Sequence, residues 1–291
     1  MQVSRILVPL DGSQLAEAIL PVAASFANQL GASLILLHVL EQEPPHDVHG
    51  EPHLARADAA ATYLEERAQA LRVAGVAVET DVHDRPVANV AAAIDRHAHE
   101  HAADLIAMCA HGRSNPLDRL LGSIAERILR GGGAPILLRT VREPSDGPFE
   151  LRHLLVPIDF EHDVGEALSA VRLFAAAYGA DVTLLSVREP GPPAAARLLP
   201  GTTALAEQYA LDDLRGRIEG LAAELRTDVT IVRADVSDRR PSAAILSAVE
   251  PATLVVLVTD AHGGPAGLFD PSTTQQLLAR PDLTLLLIKE M

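Results

Sequence analysis

Ile6-Leu7-Val8-Pro9-Leu10-Asp11 returns 148 residues later as Leu154-Leu155-Val156-Pro157-Ile158-Asp159. At the same offset, Gly31-Ala32 with Leu36-Leu37-His38-Val39 returns as Gly179-Ala180 with Leu184-Leu185-Ser186-Val187. Apolar runs that resemble each other by chance rarely keep register this long, so the chain reads as an internally duplicated domain. Each copy then serves as a control for the other.

The first copy alternates strand and helix patterns. Arg5–Pro9 reads as a strand, 13–30 as one alanine-rich helix stopped by Gly31, and 33–40 as a second strand. A long loop at 41–53, rich in proline and histidine, leads to a helix at 54–74 closed by Gly75, then a strand at 76–82. Pro86 is expected to open a third helix, where a missing N–H costs nothing. A strand at 104–109, a helix at 123–130 ended by Gly131-Gly132-Gly133, and a fifth strand at 134–139 complete the copy.

The second copy keeps this order, with a strand near 151–158, a helix to Tyr178 and a strand to Arg188. A Pro/Gly-rich loop at 189–201 precedes a helix to Arg226 and a strand at 229–234. A helix opened by Pro241, a strand at 253–259, a helix at 272–280 and a strand at 283–288 follow.

Short strands with few polar interruptions, separated by helices, predict an α/β fold: two tandem doubly wound domains, each a five-stranded parallel sheet with helices on both faces. The expected boundaries are 1–141 for the first domain, 142–150 for a linker carrying Pro144, Gly147 and Pro148, and 151–291 for the second. The two fifth strands are expected to be sheet edges, which invite pairing.

Composition narrows the function. A chain of 291 residues, 48% hydrophobic and 22% charged, can bury two ordinary cores. A formal net charge of −15 argues against nucleic acid as partner. No apolar run matches a membrane span, and the N-terminal residues lack the order of a signal peptide. Cys109 is the only cysteine, which rules out an internal disulfide and favours a reducing cytoplasm. Lys289 is the only lysine, so a Walker-type phosphate loop is impossible.

In a doubly wound sheet, ligands bind beyond the C-terminal strand ends where strand order reverses. The loops after the first and fourth strands are therefore the places to look. The latter reads Cys109-Ala110-His111-Gly112-Arg113-Ser114-Asn115, then Gly122-Ser123-Ile124-Ala125-Glu126. Gly112 and Asn115 tolerate positive φ, which lets amides curl inward around an anion. Gly122-Ser123 opens a helix, whose first N–H groups favour phosphate. Ser123 to Glu126 is equally a capping box.

Taken together, Val-Pro-x-Asp after the first strand, His38-Val39 ending the second, and His111-Gly112-Arg113 followed by Gly122-Ser123 resemble the universal stress protein family. Its ATP-binding members carry Gly-x-x-Gly, nine residues, then Gly-Ser/Thr. Gly112, the nine residues 113–121, and Gly122-Ser123 fit, while the first glycine falls on Cys109, a departure. The resemblance implies ATP, with Mg2+, bound in the first domain only. Pro9, Leu10 and Asp11 would lie at the switch point, with Val39 on adenine. Cys109, Ala110, His111, Gly112, Arg113, Ser114 and Asn115 would wrap the phosphates, joined by Gly122, Ser123, Ile124 and Ala125. It also implies a pseudo-dimer of the two domains, with homodimerisation at the fifth strands. Two plainer roles remain open: Asp11 as a turn residue and Val39 as a core valine.

The second copy has Pro271 in the place of Gly122, without an N–H to offer. Its spacing from Gly263 is two residues shorter, Asp260 and Asp270 add negative charge, and Arg113 has no counterpart. It reads as a degenerate copy.

Nine of the twelve histidines lie in the first domain. His97 and His101 are four apart and share a helix face, as a zinc or nickel site would use them. No carboxylate or cysteine completes the set at that spacing, so they read as solvated histidines and no metal is assigned. Cys109 is either redox-responsive, if a helix N-terminus lowers its pKa, or a buried inert thiol. Hydrolase, zincin, CxxC and GxGxxG signatures are missing, so slow ATP hydrolysis is the most catalysis expected. Two functions follow: an adenine-nucleotide-binding regulatory protein of the cytoplasm, or a dimerisation scaffold of the same fold without nucleotide.

Overall fold

The computed structural model describes residues 1–44, 47–48, 51–110, 124, 127–128, 133–141, 149–158, 165–187, 212–213, 216–223, 225, 232–237, 241–259 and 271–289. In the first copy the strands are β1 (Arg5–Pro9), β2 (Ser33–Glu41), β5 (Val78–Val87), β6 (Leu105–Cys109) and β7 (Ile136–Arg139). A two-residue antiparallel pair, β3 (Asp47–Val48) and β4 (Glu51–Pro52), lies in the stretch expected to be all loop. The helices are α1 (Gln14–Glu17), α2 (Leu20–Leu30), α3 (Ala57–Val73) and α4 (Val90–Glu100). The second copy supplies β8 (His153–Ile158), α5 (Gly165–Tyr178), β9 (Asp181–Val187), β10 (Val232–Ser237), α6 (Pro241–Ala248), β11 (Thr253–Thr259), α7 (Pro271–Leu278) and β12 (Thr284–Lys289).

Apart from β3 and β4, the strands form one ten-stranded sheet in the order β10-β9-β8-β11-β12-β7-β6-β1-β2-β5. Each half repeats the other's order outward from the centre. Every pairing is parallel except the central one, β7 against β12. The fifth strands are thus not edges. They pair with each other, and the edges of the sheet are β5 and β10.

Strand side chains alternate between two cores, as the period of two requires. Ile6, Val8, Leu34 and Leu36 pack with α2, α3 and α5 on one face. Leu7, Ile35 and Leu37 pack with α4, α6 and α7 on the other. Both cores run across the two copies, so the duplicated units share a continuous interior.

The halves meet about a pseudo-twofold axis. Along β6 and β7 the repeat offset is 149: Leu105 and Leu254 hold matching registers with β1 and β8, and Ile136 and Leu285 with β6 and β11. In the antiparallel pairing Leu137 therefore faces Leu286, its own counterpart. Above this pair, Phe26 and Phe174, also counterparts, hold their rings 5.0 Å apart. A residue touching its own equivalent is the signature of an isologous interface.

Two expected elements differ. The helix at 13–30 breaks between α1 and α2, because Pro21 in the first turn of α2 has no N–H to continue the ladder. Pro86 does not open a helix: β5 runs through it to Val87, and α4 starts at Val90, where the Asn89 side chain caps Ala92 N at 3.1 Å. An edge strand tolerates proline, since one side of its ladder has no partner. In the second copy the expectation holds, with Pro241 opening α6.

Candidate functional site

Strand β1 lies between β6 and β2, so the chain winds away from β1 in both directions and the first switch point falls at its C-terminal end. Pro9, Leu10 and Asp11 leave the sheet there. Leu10 N donates to Leu37 O at 2.8 Å, and Leu10 O accepts from the His38 ring at 2.8 Å. The other His38 nitrogen lies 3.0 Å from Leu54 O. His38 is buried and ties the turn after β1 to the segment before α3.

Asp11 fills the turn role. Its Oδ1 accepts from Ser13 N at 2.9 Å and Ser13 Oγ at 2.7 Å, and Ser13 Oγ accepts from Ala16 N at 3.1 Å as the cap of α1. Gly12 has φ of +93°, and a Cβ there would stand 2.7 Å from Leu54 Cδ1. The Asp-Gly-Ser turn is thus held from both sides.

The two sheet faces divide the remaining residues. Val39, Ala110 and Ile124 belong to the core on the α4 side. Leu10 and Cys109 belong to the opposite core, so the Cys109 side chain does not share Val39's face. Burial pushes the Cys109 thiol up to about 12, despite the opposing charge of Arg139. Its burial supports the inert thiol over the redox-responsive reading. Ala110 N donates to Arg139 O at 2.8 Å. Its amide is committed to the sheet and cannot wrap a phosphate, nor can that of Leu10; Pro9 has none. His111, Gly112, Arg113, Ser114, Asn115, Gly122, Ser123 and Ala125 lie outside the described residues.

The described residues are an apolar group on the α4 face (Val39, Ala110, Ile124) and a carboxylate at the switch point (Asp11). Beside it, Glu17 and Arg67 pair at 3.0 Å, with the Arg67 guanidinium 5.6 Å from the centre of the Tyr63 ring. Burial and then Glu17 push the Tyr63 phenol far above its ordinary range. A cleft of about 220 Å3, lined in part by Arg139, Phe149, Thr253 and Arg280, lies at the junction of the two copies instead.

The model of the universal stress protein family matches residues 2–138 and again residues 150–289. The chain belongs to the universal stress protein family. Among solved structures, a universal stress protein from Archaeoglobus fulgidus DSM 4304 superposes with a TM-score of 0.69 at 20% sequence identity, over 99% of this chain and 97% of that one. A protein of unknown function from Pseudomonas aeruginosa PAO1 gives 0.66 at 20% identity, over 99% and 93%. At such identity the likeness is one of fold. No curated protein matches the chain.

Three residues escaped the sequence reading as a group. His97 and His101 do share a face, and the carboxylate they lacked arrives from β5: Asp81 Oδ2 is 2.8 Å from His97 Nδ1 and 2.7 Å from His101 Nε2. Spacing along one helix could not disclose a ligand on a neighbouring strand. His99 is exposed and bonds its own helix, at Asp95 O, 2.9 Å away.

Proposed function

We propose that this universal stress protein binds an adenine nucleotide, ATP with Mg2+ as the reference ligand, in its first domain and not in its second. The observation that carries this reading is the switch point of the first copy, where Asp11 follows the C-terminal end of β1 and Val39 and Ala110 lie at or beyond the ends of the two neighbouring strands, β2 and β6, both on the α4 face. The base would lie on the apolar wall, the ribose near Asp11, and the phosphates along the segment from His111 to Ser123. In the second copy Pro271 is the first residue of α7, so the helix start that would face a phosphate begins without an N–H. Binding would act as a regulatory signal in the cytoplasm, with slow hydrolysis at most, and the domains would divide at 142–150.

Isothermal titration of the full chain with ATP and Mg2+ tests the proposal. One site per chain is expected, abolished by Gly122→Asp, which adds bulk and negative charge where phosphate would sit. No heat at high-micromolar ligand, with the variant matching wild type, overturns it.

The second reading, a scaffold without nucleotide, draws on the departure at Cys109 and on the extensive pseudo-twofold contact. Purified protein carrying no nucleotide by absorbance and mass spectrometry favours it. In either case a homodimer would need a surface other than β7 and β12, which already pair within the chain.

A further inference from the structure

A separate cluster sits where the edge strand β5 meets the C-terminal end of α4. We propose that Asp81, His97 and His101 form a binding site for a divalent late transition-metal ion of the Zn2+ class. The ligand atoms of these three residues all lie within 4.8 Å of one another. His97 stands in the last turn of α4 and His101 is its cap, so one helix presents two imidazoles on one face. Asp81 faces them from β5.

Four observations carry the assignment. First, the donor set is right: two imidazoles and a carboxylate suit Zn2+, Ni2+ or Cu2+, whereas Ca2+ and Mg2+ prefer oxygen alone. Second, His97 Nδ1 is buried and makes no hydrogen bond, although Asp81 Oδ2 is 2.8 Å away. Glu100 Oε2, 3.6 Å from the same nitrogen, does not supply the partner either, so Nδ1 stands without a hydrogen bond among carboxylates. The His97 side chain is only 10% exposed, so water does not easily supply the missing partner. Third, the far side of that ring has a partner: His97 Nε2 lies 3.0 Å from His83 Nδ1. Binding requires the tautomer with the proton on Nε2, in which His97 donates to His83 Nδ1 and leaves its own Nδ1 for the metal, and it requires the Arg96 guanidinium, now 3.4 Å from His83 Nε2, to turn away. Fourth, the site lies at the carboxyl end of a helix, where the aligned peptide dipoles favour a cation.

The fit requires a small opening. Tetrahedral Zn2+ at about 2.0–2.1 Å from each ligand sets its ligand atoms about 3.3 Å apart. The present separations are 2.7 and 2.8 Å, so Asp81 would swing outward by roughly half an ångström. Asp81 stands on an edge strand with its side chain 26% exposed, and the ion would replace its present contact with His101. When the ion enters, the proton on His101 Nε2 leaves it to solvent or to Nδ1, and a solvent molecule can take the fourth position. The ion would fasten β5 to α4 beside the candidate nucleoside wall, since His83 pairs with Val39 across the strands.

The test uses full-length protein, stripped with EDTA and titrated with ZnCl2. One tight ion per chain is expected. His83→Phe should weaken it about tenfold or more by removing the orienting partner, and Asp81→Asn with His97→Gln should abolish it. A variant with His46, His49 and His53 changed to Gln should bind as wild type, since those residues belong to the 41–53 segment of the sequence and not to β5 or α4. Because the paired variant could fold poorly, nitrogen-detected spectra of wild-type histidine rings give a second readout: His97 and His101 shift at one equivalent of Zn2+ while His99 does not. Unchanged His97 and His101 rings at saturation, or a paired variant that folds and still binds Zn2+ as wild type, overturns the proposal. The outcome is independent of ATP binding, so failure here leaves the nucleotide reading intact.

Discussion

At Gly12 a side chain meets two obstacles at once, a left-handed backbone and the methyl groups of Leu54. Gly12→Ala should therefore destabilise the first domain by about 1–3 kcal/mol, the cost of a strained non-glycine residue. The check is urea denaturation: a lower midpoint with an unchanged slope is expected, and an unchanged midpoint sinks the argument. The Cys109 thiol, raised to about 12 by burial, should stay unreactive toward a thiol reagent at neutral pH until the protein unfolds. Rapid labelling of the native protein would contradict this. Both residues were visible in the sequence as an Asp-Gly turn and a lone cysteine at a strand end. Which way the cysteine pointed was not, because a strand's two faces are equivalent until helices cover them.

Among the elements, α5 and α2 are linked by the Tyr178 hydroxyl and Ser25 Oγ, 3.0 Å apart. Burial pushes the Tyr178 phenol up to about 12, with the Ser25 hydrogen bond working the other way. The folded protein thus holds the phenolic proton more tightly than the unfolded chain. Stability from this group is full below pH 10, the ordinary phenol value, and is lost as pH rises toward 12. Cys109 contributes in the same sense from its ordinary 9.0 upward. Urea midpoints measured across this window should fall less steeply for Tyr178→Phe than for wild type. Equal slopes would show that Tyr178 titrates alike in both states. Strand and helix order was legible from apolar runs and glycine stops. The exceptions were set by position: Pro86 lies in an edge strand, and Pro21 divides an apparently continuous helix.

For the whole molecule, the pseudo-twofold predicts how a separated half behaves. A fragment of residues 1–141 would expose β7 and Phe26, the two patches that the second copy covers. Both patches are self-complementary about a twofold, so the fragment should dimerise through them. Sedimentation velocity should show the dimer, and Phe26→Glu should shift it to monomer. A wild-type fragment that remains monomeric at high concentration would argue that the inner contact is too weak to act alone. The Asp81–His97–His101 cluster belongs to this scale as well, since it unites a strand and a helix that share no local pattern.

The repeated strand, its glycine stops and the glycine spacing after the fourth strand lie in local sequence, and they determined the fold class, the duplication and the family. Periodicity is enough for this, because it records which face each element buries. Tertiary structure alone decided that the fifth strands join the two sheets, that Cys109 and Val39 occupy opposite faces, and that a carboxylate meets two histidines at the sheet's edge. Each of these depends on which elements become neighbours, and that is set by packing between distant segments rather than by spacing along the chain.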